Sequence, residues 1–177
     1  MTARNELPAD SVGREYRLER ATDPVSAAVA VAIVREAAHW ASARGIDVWS
    51  DSELRESDYA AAAAAGELIL GYAGPRPAAT MVLQTADALH WPEAAPGSAL
   101  YLHKVAVRRQ FAAQGWVSRL IAFAVAEAQR QGIRRLRLDT LPRPKLQSIY
   151  EAHGFVLLAD QPVLIAGQRK IRMERVL

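Results

Sequence analysis

The chain contains no cysteine among its 177 residues, which excludes disulfides, thiolate metal sites and cysteine nucleophiles together. Lysine is almost as scarce: Lys104, Lys145 and Lys170 are the only ones, so arginine carries the positive charge. His39, His90, His103 and His153 stand too far apart for the H-x3–5-H spacing of a zinc site, and no metal is expected. Long apolar runs are missing as well. The longest, residues 25–34, stops after about ten positions at Arg35-Glu36, against the roughly 20 that cross a bilayer. The opening 14 residues hold no apolar segment of the secretory kind. The expectation is a cytoplasmic protein with no membrane partner.

What is present is the composition of a globular protein, 51% hydrophobic and 23% charged. At roughly 150 residues per domain, the length fits a flexible N-terminal tail over residues 1–14, with Pro8 and Gly13, followed by one domain over residues 15–177. Net charge is +3 and the pI is about 9.5, but the charge is spread without a basic cluster or stacking-aromatic motif. No nucleic-acid partner is expected.

Residues 16–20 alternate as a first strand. Asp23-Pro24 then caps a helix that Gly45 closes, and Ser50-Asp51-Ser52 opens an alanine-rich helix over residues 53–65. Residues 68–73 and 79–85 flank a Gly/Pro turn as a hairpin, and residues 87–98 form a loop. Residues 100–107 are nearly all apolar, the pattern of a central strand covered on both faces. Val117, Leu120, Ile121, Ala124, Val125 and Ala128 mark one face of a helix over residues 115–131, which Gly132 ends. A strand over 136–139, a short helix over 145–153 and strands at 155–158 and 170–176 complete the order βααβββαβαββ. This is an α/β protein with a mixed central sheet.

The chemistry concentrates in Val105-Ala106-Val107-Arg108-Arg109-Gln110-Phe111-Ala112-Ala113-Gln114-Gly115-Trp116. A buried strand runs into a turn of small residues and then into a helix start. Converging amides and the helix dipole suit such a turn to a diphosphate, with Arg108 and Arg109 as mobile cations at its rim. An ordinary strand-to-helix connection fits this stretch equally well.

With LRLDT and KLQSIYEAHGF following LHKVAVRRQFAAQGWVSRLI in order and spacing, the chain resembles the GCN5-related N-acetyltransferase (GNAT) family over residues 15–177. The resemblance implies acyl transfer from acetyl-CoA, usually to an amine, on a sheet splayed between its fourth and fifth strands. It implies that the backbone of Val105, Ala106 and Val107 pairs with the cofactor arm, with Leu146 and Tyr150 beside it. The family's Q/R-x-x-G-x-G/A motif falls on Ala112, Ala113, Gln114, Gly115, Trp116 and Val117, and departs from the pattern at Ala112 and Val117. Arg143 stands where the family often has asparagine, positioned to reach a phosphate instead.

Two residues are the catalytic candidates that the resemblance implies. Tyr150 is the proton donor to the departing thiolate. His103, matching one of the relay histidines of arylalkylamine N-acetyltransferases, is the acceptor of the amine proton; Tyr101 replaces the other. Trp49, Trp91, Tyr101 and Asp139 are the candidates for acceptor binding. Tyr101, His103, Val105 and Val107 fall on one face of the central strand by alternation, while His39, His90 and His153 read as surface or packing residues. The partner expected is a small-molecule or peptide amine, the assembly a monomer or homodimer. A non-catalytic acyl-CoA-binding sensor of the same fold is the alternative.

Overall fold

The side chain of Asp23 accepts from the backbone N–H of Ser26 at 2.9 Å and so opens a helix, α1 (Pro24–Ser42), whose proline sits where no intrahelical bond is lost. The computed structural model describes residues 5–7, 15–50, 53–158, 162–165 and 167–177. The chain gathers into two units. One holds residues 1–82 and 104–120; the other holds residues 83–103 and 121–177.

In the first unit, β1 (Asn5–Leu7), β2 (Tyr16–Ala21), β3 (Leu68–Ala73) and β4 (Arg76–Gln84, as far as Val82) pair antiparallel in sequence order. Part of the stretch read as a tail is therefore a strand, and residues 1–4 and 8–14 lie outside the described residues. The small apolar face of α1, with Ala27, Ala30, Val31, Ile33 and Val34 buried, packs with Leu68 and Leu70 and with Tyr59, Ala62 and Ala63 of α2 (Glu56–Ala64). Burying each large aliphatic side chain there contributes about 1.5–3 kcal/mol. The second helix begins later than its caps suggested. Ser50 donates through both its N–H and its hydroxyl to Glu53 Oε2, and Glu53 Oε1 accepts from Lys104 Nζ at 3.0 Å, so the serine closes a separate turn instead of capping α2.

The second unit is built on β6 (Arg135–Thr140), which runs parallel to the first residues of β5 (Leu100–Val107) and antiparallel to β9 (Gln168–Val176). β7 (Val156–Leu157) and β8 (Val163–Ile165) also pair with β9. The last hairpin turns at Gly167 between β8 and β9, β8 being a strand the sequence pattern did not show. Helix α3 (Trp116–Arg130) and helix α4 (Pro144–Glu151) lie close to the boundaries expected. The parallel ladder has three pairs, Leu100 with Leu136, Tyr101 with Arg137 and Leu102 with Leu138. It ends there, so residues 103–107 of β5 stand outside it. This is the splay expected of the fourth and fifth strands in the βααβββαβαββ order. The fold is mixed α/β with an open sheet.

Candidate active site

His103 follows the last residue of the parallel ladder, and its imidazole lies between two carboxylates: Nε2 is 3.3 Å from Asp87 Oδ2 and Nδ1 is 3.8 Å from Asp139 Oδ1. His90 bridges the same pair from another position, with Nδ1 3.0 Å from Asp87 Oδ1 and Nε2 3.7 Å from Asp139 Oδ2. The four side chains close a ring in which acid and imidazole alternate. Lys170 Nζ adds a cation 3.5 Å from Asp139 Oδ2. The carboxylates are 6% and 7% exposed and the imidazoles 15% and 17%.

Burial and neighbours pull the ring's protons in opposite directions. Burial alone pushes the His90 imidazole below its ordinary value, but its hydrogen bond with Asp87 and the charges of Asp139 and Asp87 carry it above. Burial likewise raises the Asp87 carboxyl, and the His90 bond and the His103 charge outweigh it and hold it low. The contact between them favours a charged His90 imidazole beside a charged Asp87 carboxylate.

Asp139 and His103 were legible as candidates; Asp87 and His90 were not. His90 is no surface residue. Asp87 accepts from the backbone N–H of His90 at 3.0 Å as well as facing its ring, so a D-x-x-H turn in a loop was the available signal. Separation along the chain concealed that His90 and His103 meet, with ring centroids 5.6 Å apart.

Lys104 has a left-handed φ of 51°. Ala106 is buried with the α1–α2 core, while Val105 and Val107 are partly exposed.

The turn over residues 112–115 has left-handed φ at Ala113 (59°) and Gly115 (74°), and Trp116 begins α3 directly after it. Alternating handedness of this kind turns successive amides toward one concavity, a nest for an anion at a helix start. Trp116 itself is buried, edge-on to Tyr16 at 5.3 Å, and Arg119 stacks on Tyr16 at 3.8 Å while its Nη1 donates to the Gln114 carbonyl. Both rim cations have partners within the fold. Arg108 Nη1 donates to Glu36 Oε2 at 3.1 Å, and Arg109 stacks on Trp40 at 3.8 Å while its backbone N–H donates to Glu36 Oε1. Ala112 and Val117 are partly exposed at either end of the turn.

Tyr150 sits in the last turn of α4, partly buried, with its ring edge-on to Phe155 at 5.9 Å. Burial, and then the charge of Asp139, push its phenol up to about 12, so it holds its proton at neutral pH. Arg143 is exposed at the N-terminal cap of α4, and Leu146 is partly buried one turn on.

The aromatic candidates separate. Trp91 and Tyr101 are 2% and 1% exposed and pack on each other at 5.9 Å, with Arg137 and Arg172 stacked on Trp91 at 4.6 and 4.9 Å. Their rings fill the interior of the second unit and present no open wall to an acceptor. Trp49 is partly buried against the α1–α2 core, with Lys104 Nζ 5.8 Å from its ring.

A fold of this topology has known counterparts. The sequence profile of the acetyltransferase (GNAT) family matches residues 34–155, and the chain belongs to that family. No curated protein matches the chain. Among solved structures, a GNAT-family acetyltransferase from Listeria monocytogenes 4b F2365 superposes with a TM-score of 0.78 at 21% identity, over 98% of this chain and 100% of that one. The PaiA N-acetyltransferase from Thermoplasma acidophilum, in complex with coenzyme A, gives 0.69 at 13% identity over 92% of this chain and 99% of its own. YncA from Salmonella typhimurium, with its cofactor acetyl-CoA, gives 0.67 at 14% over 92% and 94%. These likenesses establish the fold. No helix among the described residues is long and apolar enough to cross a membrane.

Proposed function

We propose that the chain is an acetyl-CoA-dependent N-acetyltransferase that acetylates a primary amine of a small molecule or peptide by direct attack. The observation that carries this reading is His103, held between two carboxylates at the point where the parallel ladder ends. The left-handed turn supports the cofactor's place: the amides of Ala113, Gln114, Gly115 and Trp116 are the donors for a diphosphate, and residues 105–107 offer strand backbone to the pantetheine arm. Neither Ala112 nor Val117 removes a backbone donor.

Bound acetyl-CoA supplies an activated thioester. The amine nitrogen forms the new C–N bond as the C–S bond breaks. His103 takes the proton the nitrogen loses, and the flanking Asp87 and Asp139 stabilise the imidazolium. Tyr150 gives a proton to the departing sulfur from a phenol that is protonated throughout the neutral range.

Release of free thiol from acetyl-CoA across a panel of amines tests the reading. Turnover with at least one amine, lost in His103→Gln, supports it. Gly115→Glu, which puts a carboxylate where the diphosphate lies, is expected to abolish CoA binding in calorimetry. The departures at Ala112, Val117 and Arg143 favour a second reading, an acyl-CoA sensor of the same fold. Tight acetyl-CoA binding with no thiol release from any amine selects it.

A further inference from the structure

We propose that Asp87, His90, His103 and Asp139 form a binding site for a single divalent transition-metal ion of the zinc class. One donor atom can be taken from each of the four residues so that all lie within 4.8 Å of one another. Four donors about 2.0 Å from a common centre in a tetrahedron stand about 3.3 Å apart. Each imidazole–carboxylate contact of the ring, at 3.0, 3.3, 3.7 or 3.8 Å, pairs a different nitrogen with a different oxygen, so at most two of them are edges of one tetrahedron. The four donors, all within 4.8 Å of one another, must draw in toward the tetrahedral edge length to enclose an ion.

The donor chemistry selects the ion. Two imidazoles and two carboxylates suit zinc and its neighbours, whereas calcium and magnesium take six or more oxygens. Each imidazole that gives one nitrogen to the ion keeps the other beside a carboxylate oxygen, the arrangement that fixes the tautomer and orientation of metal-bound histidine. Two carboxylates neutralise the charge of a dication. A second observation points the same way. Asp87 Oδ2 is buried and makes no hydrogen bond among the described residues, with His103 Nε2 3.3 Å from it and the Asp87 side chain 6% exposed. Lys170, on the outer side of Asp139, opposes the cation and sets the affinity below that of a structural zinc site.

The test uses the full-length chain without an affinity tag, stripped with a chelator and titrated with zinc(II) in the absence of acyl donor and acceptor. Calorimetry is expected to show one ion per chain, with no binding of magnesium(II) under the same conditions. Cobalt(II) added to the unaltered protein is expected to give the intense visible absorption of four-coordinate nitrogen–oxygen ligation. Asp87→Asn and His90→Gln are each expected to weaken zinc binding by at least about 10-fold, with circular dichroism unchanged. Absence of zinc binding, a six-coordinate cobalt spectrum, or undiminished binding in a folded His90→Gln protein overturns the proposal. Should the variants unfold, the cobalt spectrum of the unaltered chain decides alone. His103 cannot hold the ion and take the amine proton at once, so the proposed acetyl transfer belongs to the ion-free chain; because transfer is not measured here, absence of zinc binding leaves the proposed activity standing, and absence of turnover leaves the ion site standing.

Discussion

Trp116 lies across Gly71: a Cβ built on Gly71 would come within 2.6 Å of the tryptophan's Cζ3 and 3.0 Å of Leu18 Cδ2. The first residue of α3 is therefore seated on β3 through a position that tolerates no side chain. Trp116 is 2% exposed and has no room to step aside. Gly71→Ala is expected to cost about 1–3 kcal/mol, the usual penalty of overpacking. The check is the urea midpoint at unchanged m-value. Because the displaced ring begins α3, CoA affinity is expected to fall in the same variant.

The turn ahead of Trp116 sets two neighbouring positions against each other. Ala113 and Gly115 are both left-handed, but only one is glycine. Ala113→Gly removes roughly 1 kcal/mol of backbone strain and adds a similar entropy to the unfolded chain, so stability is expected to move by less than about 0.5 kcal/mol. Gly115→Ala introduces that strain and sets a Cβ 3.0 Å from Arg119 Nη1. It is expected to destabilise by about 1–2 kcal/mol. Equal melting temperatures for the two variants would show that the turn is not held in this conformation.

Glu36 ties α1 to the segment after β5 by two bonds, one to the Arg108 guanidinium and one to the Arg109 amide. Both its side chain and that of Arg108 are about a third or a quarter exposed, at 34% and 25%, so screening discounts the ion pair. Glu36→Gln is expected to lower stability by about 0.5–1.5 kcal/mol, with the loss shrinking as salt is raised. A loss independent of salt would assign the effect to the amide bond alone.

Much of the fold was legible because its elements carry their own punctuation. Asp23-Pro24 opens α1, Gly132 follows α3, and the apolar face from Val117 to Ala128 has one period throughout. Strands β1 and β8 were missed because each is three residues long and takes its definition from a partner, β2 or β9, instead of from an internal pattern. The site divides in the same way. Tyr150, His103 and the turn to Trp116 sit on elements with strong local signatures. The ring that surrounds His103 joins Asp87, His90 and Asp139 from a loop and a distant strand, and only folding brings them together. Trp91, a candidate pocket wall by its place in the loop before the central strand, is instead buried by stacking of Arg137 and Arg172 and by contact with Tyr101.

Tyr150 makes two separable predictions. The first is catalytic. On the proposed mechanism Tyr150→Phe removes the proton donor to the leaving sulfur but leaves the edge contact with Phe155, so kcat is expected to fall about 10²- to 10⁴-fold with CoA affinity kept. A variant turning over at the unaltered rate would reduce this tyrosine to packing. The second concerns stability and needs no substrate. An exposed phenol in the unfolded chain ionises near 10, whereas burial holds Tyr150 up to about 12 in the folded state. Between those values the unfolded state binds fewer protons than the folded one, so stability falls as pH rises through this window; below about pH 10 both states keep the proton and the contribution is complete. Tyr59 and Tyr72 are also raised by burial and add to the same alkaline slope. Tyr150→Phe is therefore expected to flatten the decline of urea-unfolding free energy above pH 10 without abolishing it, and to leave the profile from pH 6 to pH 9 parallel to that of the unaltered protein. An alkaline slope identical in the two proteins would show that the phenol ionises freely in the fold, and a freely ionising phenol has no buried site from which to deliver its proton.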